Sequence, residues 1–98
     1  MKTEFHPQAI LELDRTVDYY EEIKSGLGIK FMDEIQLGID TITNYPYSWQ
    51  KMSESTRRYI IRKFPFGIIY MFYSDRIYII AIMHLSRKPE YWSSRNQQ

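Results

Sequence analysis

Three runs of β-branched and aromatic residues constrain the fold most: 57–64, 67–74 and 76–84. The turn sequences Pro65-Phe66-Gly67 and Ser74-Asp75 separate them, so the runs predict a three-stranded antiparallel meander. The last two runs are apolar on both faces of their predicted strands. A sheet with helices on one side normally alternates apolar and polar residues, so both faces of this sheet require cover.

Period-two alternation predicts which side chains of the third run share a face. Those on one face are Ile77, Ile79, Ala81 and Met83, and those on the other are Tyr78, Ile80 and Ile82. One face needs cover from the C-terminal segment 85–98, with Tyr91 and Trp92 folding back, or from another protein chain. The sequence leaves these two alternatives open.

Two amphipathic helices are predicted before the strands. The first, 7–25, should stop at Gly26, and its apolar residues lie at helical spacing: Ala9, Leu13, Val17 and Tyr20. The second ends near Pro46 and repeats this spacing with Phe31, Ile35, Ile39 and Ile42. The short join between the two predicts an antiparallel hairpin with acidic, solvated outer faces.

Helices followed by strands predict an α+β fold, in which the N-terminal hairpin packs on a three- to four-stranded antiparallel sheet. The fourth strand would be 2–5. A chain of 98 residues can build one core, so we expect a single domain over residues 1–98. The most apolar stretch is about half the length of a membrane-spanning helix, and we expect no membrane association. The lack of cysteine and of a signal-like start predicts a cytoplasmic protein.

Charge is distributed unevenly along the chain, although the net charge is only +1. Residues 1–56 carry 5 basic and 10 acidic side chains, whereas residues 57–98 carry 8 basic and 2 acidic ones. Aromatic residues interleave the basic half, which suits RNA because guanidinium groups bind phosphate and rings stack on bases. The candidate RNA-binding or target-binding residues are Arg57, Lys63, Lys88, Trp92 and Arg95. The alternative is that the basic side chains are solvated or pair with the acidic helices.

His84 ends the third predicted strand, where an imidazole can be held rigidly and still take part in proton transfer. Arg87 follows closely, and a guanidinium there could stabilise a phosphorane-like transition state. The alternative for His84 is a packed or hydrogen-bonded side chain. With two histidines, no cysteine and no Gly-rich phosphate loop, the sequence predicts neither a metal nor another cofactor.

A set of spaced residues runs through nearly the whole chain: Phe5, Pro7, Ala9, Leu13, Asp18-Tyr19-Tyr20-Glu21, Gly28, Phe31, Glu34, Pro46, Arg57-Arg58, Phe64-Pro65-Phe66-Gly67, Ile69-Tyr70 and His84-Leu85-Ser86-Arg87. Together with the order helix, helix, meander, this set resembles the RelE/ParE superfamily of type II toxin–antitoxin toxins, the plasmid-stabilisation type. The resemblance implies a toxin and a cognate antitoxin whose flexible segment wraps it. A homodimer is the alternative when the antitoxin is absent.

The superfamily contains two activities that the fold does not separate. We expect an mRNA interferase that cleaves message on the ribosome, since the basic and aromatic cluster suits RNA. By resemblance, Arg58, Arg62 and Arg87 would hold the scissile phosphate. His84 or Tyr91 would move the proton. The alternatives are a ParE-like inhibitor of DNA gyrase that cleaves nothing, and a non-toxic binding protein with a toxin fold.

Overall fold

The predicted helical hairpin is present in the computed structural model, which describes residues 1–96. Helix α1 spans Pro7–Ile23 and helix α2 spans Leu27–Asn44. His6 caps the N-terminus of α1, since its Nδ1 accepts the backbone N–H of Gln8 at 3.0 Å. Gly26 precedes α2 with a φ of 90°, a left-handed conformation that glycine adopts without strain. Within residues 1–96, no helix has the length and apolar character needed to cross a bilayer.

A five-stranded sheet lies against this hairpin, in the order β1-β5-β4-β3-β2. Its strands are β1 (Lys2–Phe5), β2 (Gln50–Lys51), β3 (Arg57–Ile60), β4 (Phe66–Tyr73) and β5 (Arg76–His84), and a short 3-10 helix follows at Ser93–Asn96. The predicted α+β class and the meander are confirmed. The N-terminal strand is also present, but it pairs with β5 in parallel, and β2 adds a strand that the sequence did not predict.

Strand β3 ends at Ile60, four residues before its predicted end. A turn follows, in which Lys63 has a φ of 71°, and a strand cannot continue through this left-handed conformation. The prediction that Arg62 and Lys63 lie within the first strand of the meander is therefore wrong. The backbone N–H of Leu85 donates to the carbonyl of Pro65 at 2.9 Å, so the turn lies beside the end of β5.

The first core lies between the hairpin and the sheet. Phe31 of α2 is fully buried there, with its ring centroid 5.5 Å from that of Tyr20 and 5.1 Å from that of Phe66. At Gly38, an added Cβ would lie 2.9 Å from Cδ1 of Ile68 and 3.0 Å from Cε2 of Tyr59, so a larger residue would displace side chains between α2 and the sheet. These contacts fix the hairpin on one face of the sheet.

A β-bulge in β5 changes which side chains lie on each face. The partners of Ile79 and Ala81 on β4 are adjacent residues, so Ile80 is an extra residue in β5. Beyond it the alternation reverses, which places Ala81 and Met83 opposite the helices and Ile82 in the first core. The predicted alternation is therefore wrong after Ile80, because strict period two does not allow for an inserted residue.

The second core lies on the face opposite the helices, and the chain's own C-terminal segment buries it. Trp92 is only 3% exposed. It packs in one cluster with Ile69, Ile80, Ala81 and Met83, and Met52, Met71, Tyr78 and Tyr91 surround this cluster. Of the two alternatives left open by the sequence, cover by Tyr91 and Trp92 is the one observed. The apolar second face is therefore not an argument for a partner chain.

Ile80→Asp should prevent folding, or lower the free energy of unfolding by several kcal/mol, because it buries an unpaired charge in the second core. Urea unfolding followed by circular dichroism measures this loss. Ile29→Asp is the matched control, since Ile29 is 64% exposed in the first turn of α2, and its loss should stay below about 0.5 kcal/mol. Equal small losses in the two variants would contradict the burial of Ile80.

Candidate functional site

Strand β5 extends beyond its neighbour β1, which leaves part of its edge without a strand partner. Strand β1 stops opposite Ile79. Past this point, Oε1 of Glu12 accepts the backbone N–H of Ile82 at 3.0 Å. Nη1 of Arg95 donates to the carbonyl of Ile80 at 3.3 Å. Buried backbone groups require such partners, so two side chains take the place of the missing strand.

Glu12 also binds the C-terminal segment directly. The hydroxyl of Tyr91 donates to Oε2 at 2.9 Å, and Nη1 of Arg95 donates to Oε1 at 3.0 Å. The side chains of Glu12 and Arg95 are 15% and 14% exposed, so water screens this ion pair less than a surface pair. We call these contacts among Glu12, Tyr91, Arg95 and the edge of β5 the Glu12 network.

Tyr91 is a proton donor in this network. Burial raises the pKa of its hydroxyl well above the ordinary value, and the hydrogen bond to Glu12 raises it further. The guanidinium carbons of Arg87 and Arg95 lie 4.0 and 5.1 Å from the centroid of its ring. The ring thus contacts two cations while its hydroxyl stays protonated and bound.

His84 is held by its own loop. Its Nδ1 accepts the backbone N–H of Ser86 at 3.0 Å, and the Ser86 hydroxyl lies 2.7 Å from the same atom. In a neutral ring this assigns the proton to Nε2. Phe66 packs against the imidazole with ring centroids 5.0 Å apart. The predicted alternative, a packed and hydrogen-bonded histidine, matches this arrangement.

Arg57 and Arg58 extend to opposite faces of β3, as successive strand residues must. Nη1 of Arg57 donates to the carbonyl of Trp49 at 2.7 Å. Nη2 of Arg58 donates to Oε1 of Gln50 at 2.9 Å. The stem of Arg58 crosses Gly67, where an added Cβ would lie 3.1 Å from its Cγ. Both guanidinium groups are thus engaged by β2 and the residues before it.

The turn after β3 contributes one paired and one exposed cation. Nζ of Lys63 lies 3.7 Å from Oε2 of Glu34, a carboxylate that is only 10% exposed. Arg62 is exposed beside it. Pairing of the basic half with the acidic helices therefore occurs at Lys63 and, through Glu12, at Arg95.

The candidate residues fall into two groups. Arg87, Tyr91 and Arg95 are joined by direct contacts after β5, and exposed Lys88 lies between them in sequence. No hydrogen bond, ion pair or ring contact within residues 1–96 joins Arg57 or Arg58 to this group. Trp92 does not present its ring to a partner in this structure, because it is buried in the second core. In the described part of the chain, no group of three or more His, Cys, Asp or Glu side chains is placed to hold a metal ion.

The sequence patterns do not single out two residues of this region, Glu12 and Arg15. Glu12 is not among the candidate residues predicted above, although it directly precedes Leu13 of the apolar stripe. Arg15 lies one turn further along α1 and lines the same concavity as His84 and Arg87. Neither residue belongs to a motif. The only sequence signal for them is helical spacing, which puts both near the face of α1 that packs on the sheet.

Comparison with known proteins identifies the family. The family model described as the ParE toxin of the type II toxin–antitoxin system parDE matches residues 3–89. The chain belongs to the ParE toxin family. The predicted resemblance to the RelE/ParE superfamily is thus confirmed, and membership of this family implies an antitoxin partner. Tyr91 and Arg95 lie just beyond the matched residues.

A solved structure supports the fold of this ParE toxin. The chain is 16% identical to one described as "Chromosomal ParDE TA system from P. aeruginosa", with a TM-score of 0.75. The likeness covers 88% of this chain and 97% of that chain. A search of curated proteins finds no significant relative. The family match makes the protein the toxin of a ParDE system, and the structural likeness supports the expected α+β architecture.

Glu12→Ala should lower the free energy of unfolding of the ParE toxin by about 3 kcal/mol, because it leaves Arg95 and two other donors without their acceptor. Urea unfolding measures the loss. Asp14→Ala removes an exposed carboxylate of the same helix, and its effect should be below about 0.5 kcal/mol.

A double-mutant cycle between Glu12→Ala and Arg95→Met isolates the ion pair within the network. We expect a coupling free energy of at least about 1 kcal/mol. Additive losses, with no coupling beyond error, would show that Arg95 does not bind Glu12 in solution.

Proposed function

We propose that this ParE toxin acts by binding DNA gyrase and that it does not cleave RNA. The observation that carries the proposal is the Glu12 network, which engages both Tyr91 and Arg95. An mRNA interferase needs a side chain that takes or gives a proton at the ribose and phosphate of its substrate. Neither predicted proton carrier is suited to take a proton from a ribose hydroxyl. Tyr91 is protonated and already donates to a carboxylate. In the neutral ring of His84 the accepting nitrogen is Nδ1, and Ser86 already occupies it. This reverses the order of the two activities expected from the sequence.

The exposed cations near the end of β5 support a binding role. Arg87 and Lys88 follow β5, and Arg62 lies on the adjoining turn. Arginine is enriched among the residues that contribute most of the binding free energy at protein interfaces. A segment that is already rigid loses little conformational entropy when it binds. The Glu12 network supplies that rigidity by fixing the segment that carries Arg87. We infer that gyrase presents an acidic surface to these residues.

Two assays with the purified toxin separate the activities. We expect inhibition of gyrase supercoiling of a relaxed plasmid, and intact message when the toxin is added to ribosomes translating a defined mRNA. Cleaved message together with normal supercoiling would establish the interferase instead. Normal results in both assays, with normal growth on induction, would favour a toxin-fold binding protein without toxicity.

Arg87→Ala should weaken gyrase inhibition at least about tenfold, because truncation of a central interface arginine typically costs more than 1.4 kcal/mol. The free energy of unfolding should fall by no more than about 1 kcal/mol, since only the contact with the Tyr91 ring is lost. Lys30→Ala removes an exposed cation on α2 and should leave inhibition unchanged. Full inhibition by Arg87→Ala would show that the surface is placed wrongly.

A further inference from the structure

A groove lies between α1 and the ends of β4 and β5, on the helical side of the sheet. Two adjoining concavities of about 330 and 240 Å³ form it, and they share Arg15, Thr16, Phe66 and His84. Tyr20 lines one end and Arg87 the other. The rings of Tyr20 and Phe66 give the groove an apolar surface, which we call its floor. Its basic lining residues are Arg15, His84 and Arg87.

The two arginines of the groove have no anionic partner among the described residues. Arg15 and Arg87 are both exposed, and within residues 1–96 no carboxylate lies within 4.0 Å of either guanidinium. The guanidinium carbon of Arg87 lies over the ring of Tyr91, 4.0 Å from the centroid. This cation–π contact uses none of the guanidinium N–H groups in a hydrogen bond, so they can bind a ligand.

His84 adds a third donor whose orientation is fixed. Ser86 binds Nδ1, so in the neutral ring Nε2 carries the proton and has no partner among the described residues. Packing against Phe66 restrains the rotation of the imidazole. A donor held in this way loses little entropy when it binds a ligand.

Among residues 1–96, Glu12 is the one carboxylate that lines the groove, and it does not cancel this positive charge. Glu12 already accepts from Arg95, from the Tyr91 hydroxyl and from the backbone of Ile82. Its charge is therefore balanced by Arg95, which leaves Arg15 and Arg87 as two uncompensated cations. The apolar floor weakens dielectric screening and so strengthens their attraction for an anion.

We propose that this groove binds a phosphate monoester, with Arg15, Arg87 and Nε2–H of His84 as its donors. Two guanidinium forks match the two negative charges and the oxygen geometry of such a group. The chemistry is that of a terminal phosphate, as on a nucleoside monophosphate or a phosphorylated serine. The site needs no contribution from gyrase, so it goes beyond the target proposed above and is tested on the toxin alone.

Titration calorimetry of the full-length toxin tests the proposal with four ligands: inorganic phosphate, uridine monophosphate, a phosphoserine peptide and acetate. Saturable 1:1 binding of the phosphate ligands, at least tenfold tighter than that of acetate, is expected. The tightest of the three identifies the source of the phosphate. Acetate binding as tightly as phosphate, or no saturable binding at millimolar phosphate, would overturn the proposal.

A matched pair of variants separates a built site from general attraction. Arg15→Gln should weaken phosphate binding at least tenfold, whereas Lys30→Gln, which changes the net charge equally on α2, should change it less than twofold. Circular dichroism confirms that both variants fold. Equal losses in the two variants would show that phosphate responds only to net charge, and would overturn the assignment of the groove.

Discussion

The carboxylate of Glu12 takes the place of the strand that β5 lacks. Beyond Ile79 none of the described strands accepts the backbone N–H of Ile82, and Glu12 accepts it at 3.0 Å. The same carboxylate binds Tyr91 and Arg95, and the segment between them carries Trp92 onto the second core. One charged side chain of α1 thus joins the helices, the edge of the sheet and the C-terminal segment.

Much of the fold follows from periodicity. Helical spacing predicted the hairpin almost to the residue, and the strand runs predicted the meander. The errors lie where one residue breaks a pattern. Lys63 adopts a left-handed conformation inside a predicted strand, which ends β3 early, and the extra residue Ile80 reverses the faces of β5. Neither feature has a composition that distinguishes it from a regular strand.

The site was harder to predict because its contacts join distant parts of the chain. Glu12 binds groups 70, 79 and 83 residues away, and no spacing rule connects them. The uneven charge distribution correctly indicated a basic C-terminal half, but not which cations are paired. The resemblance to the RelE/ParE superfamily identified the family. The antitoxin partner is implied by family membership alone. The apolar second face of the sheet, which had suggested a partner, is covered by the chain's own C-terminal segment.

Hydrogen exchange at the backbone amide of Ile82, followed by NMR, tests the role of Glu12 most directly. If Glu12 closes the edge of β5, this amide should exchange as slowly as that of Ile69 in the middle of the sheet, because both require global unfolding. Exchange of the Ile82 amide near its intrinsic rate, while Ile69 stays protected, would contradict the network and the fixed C-terminal segment that depends on it.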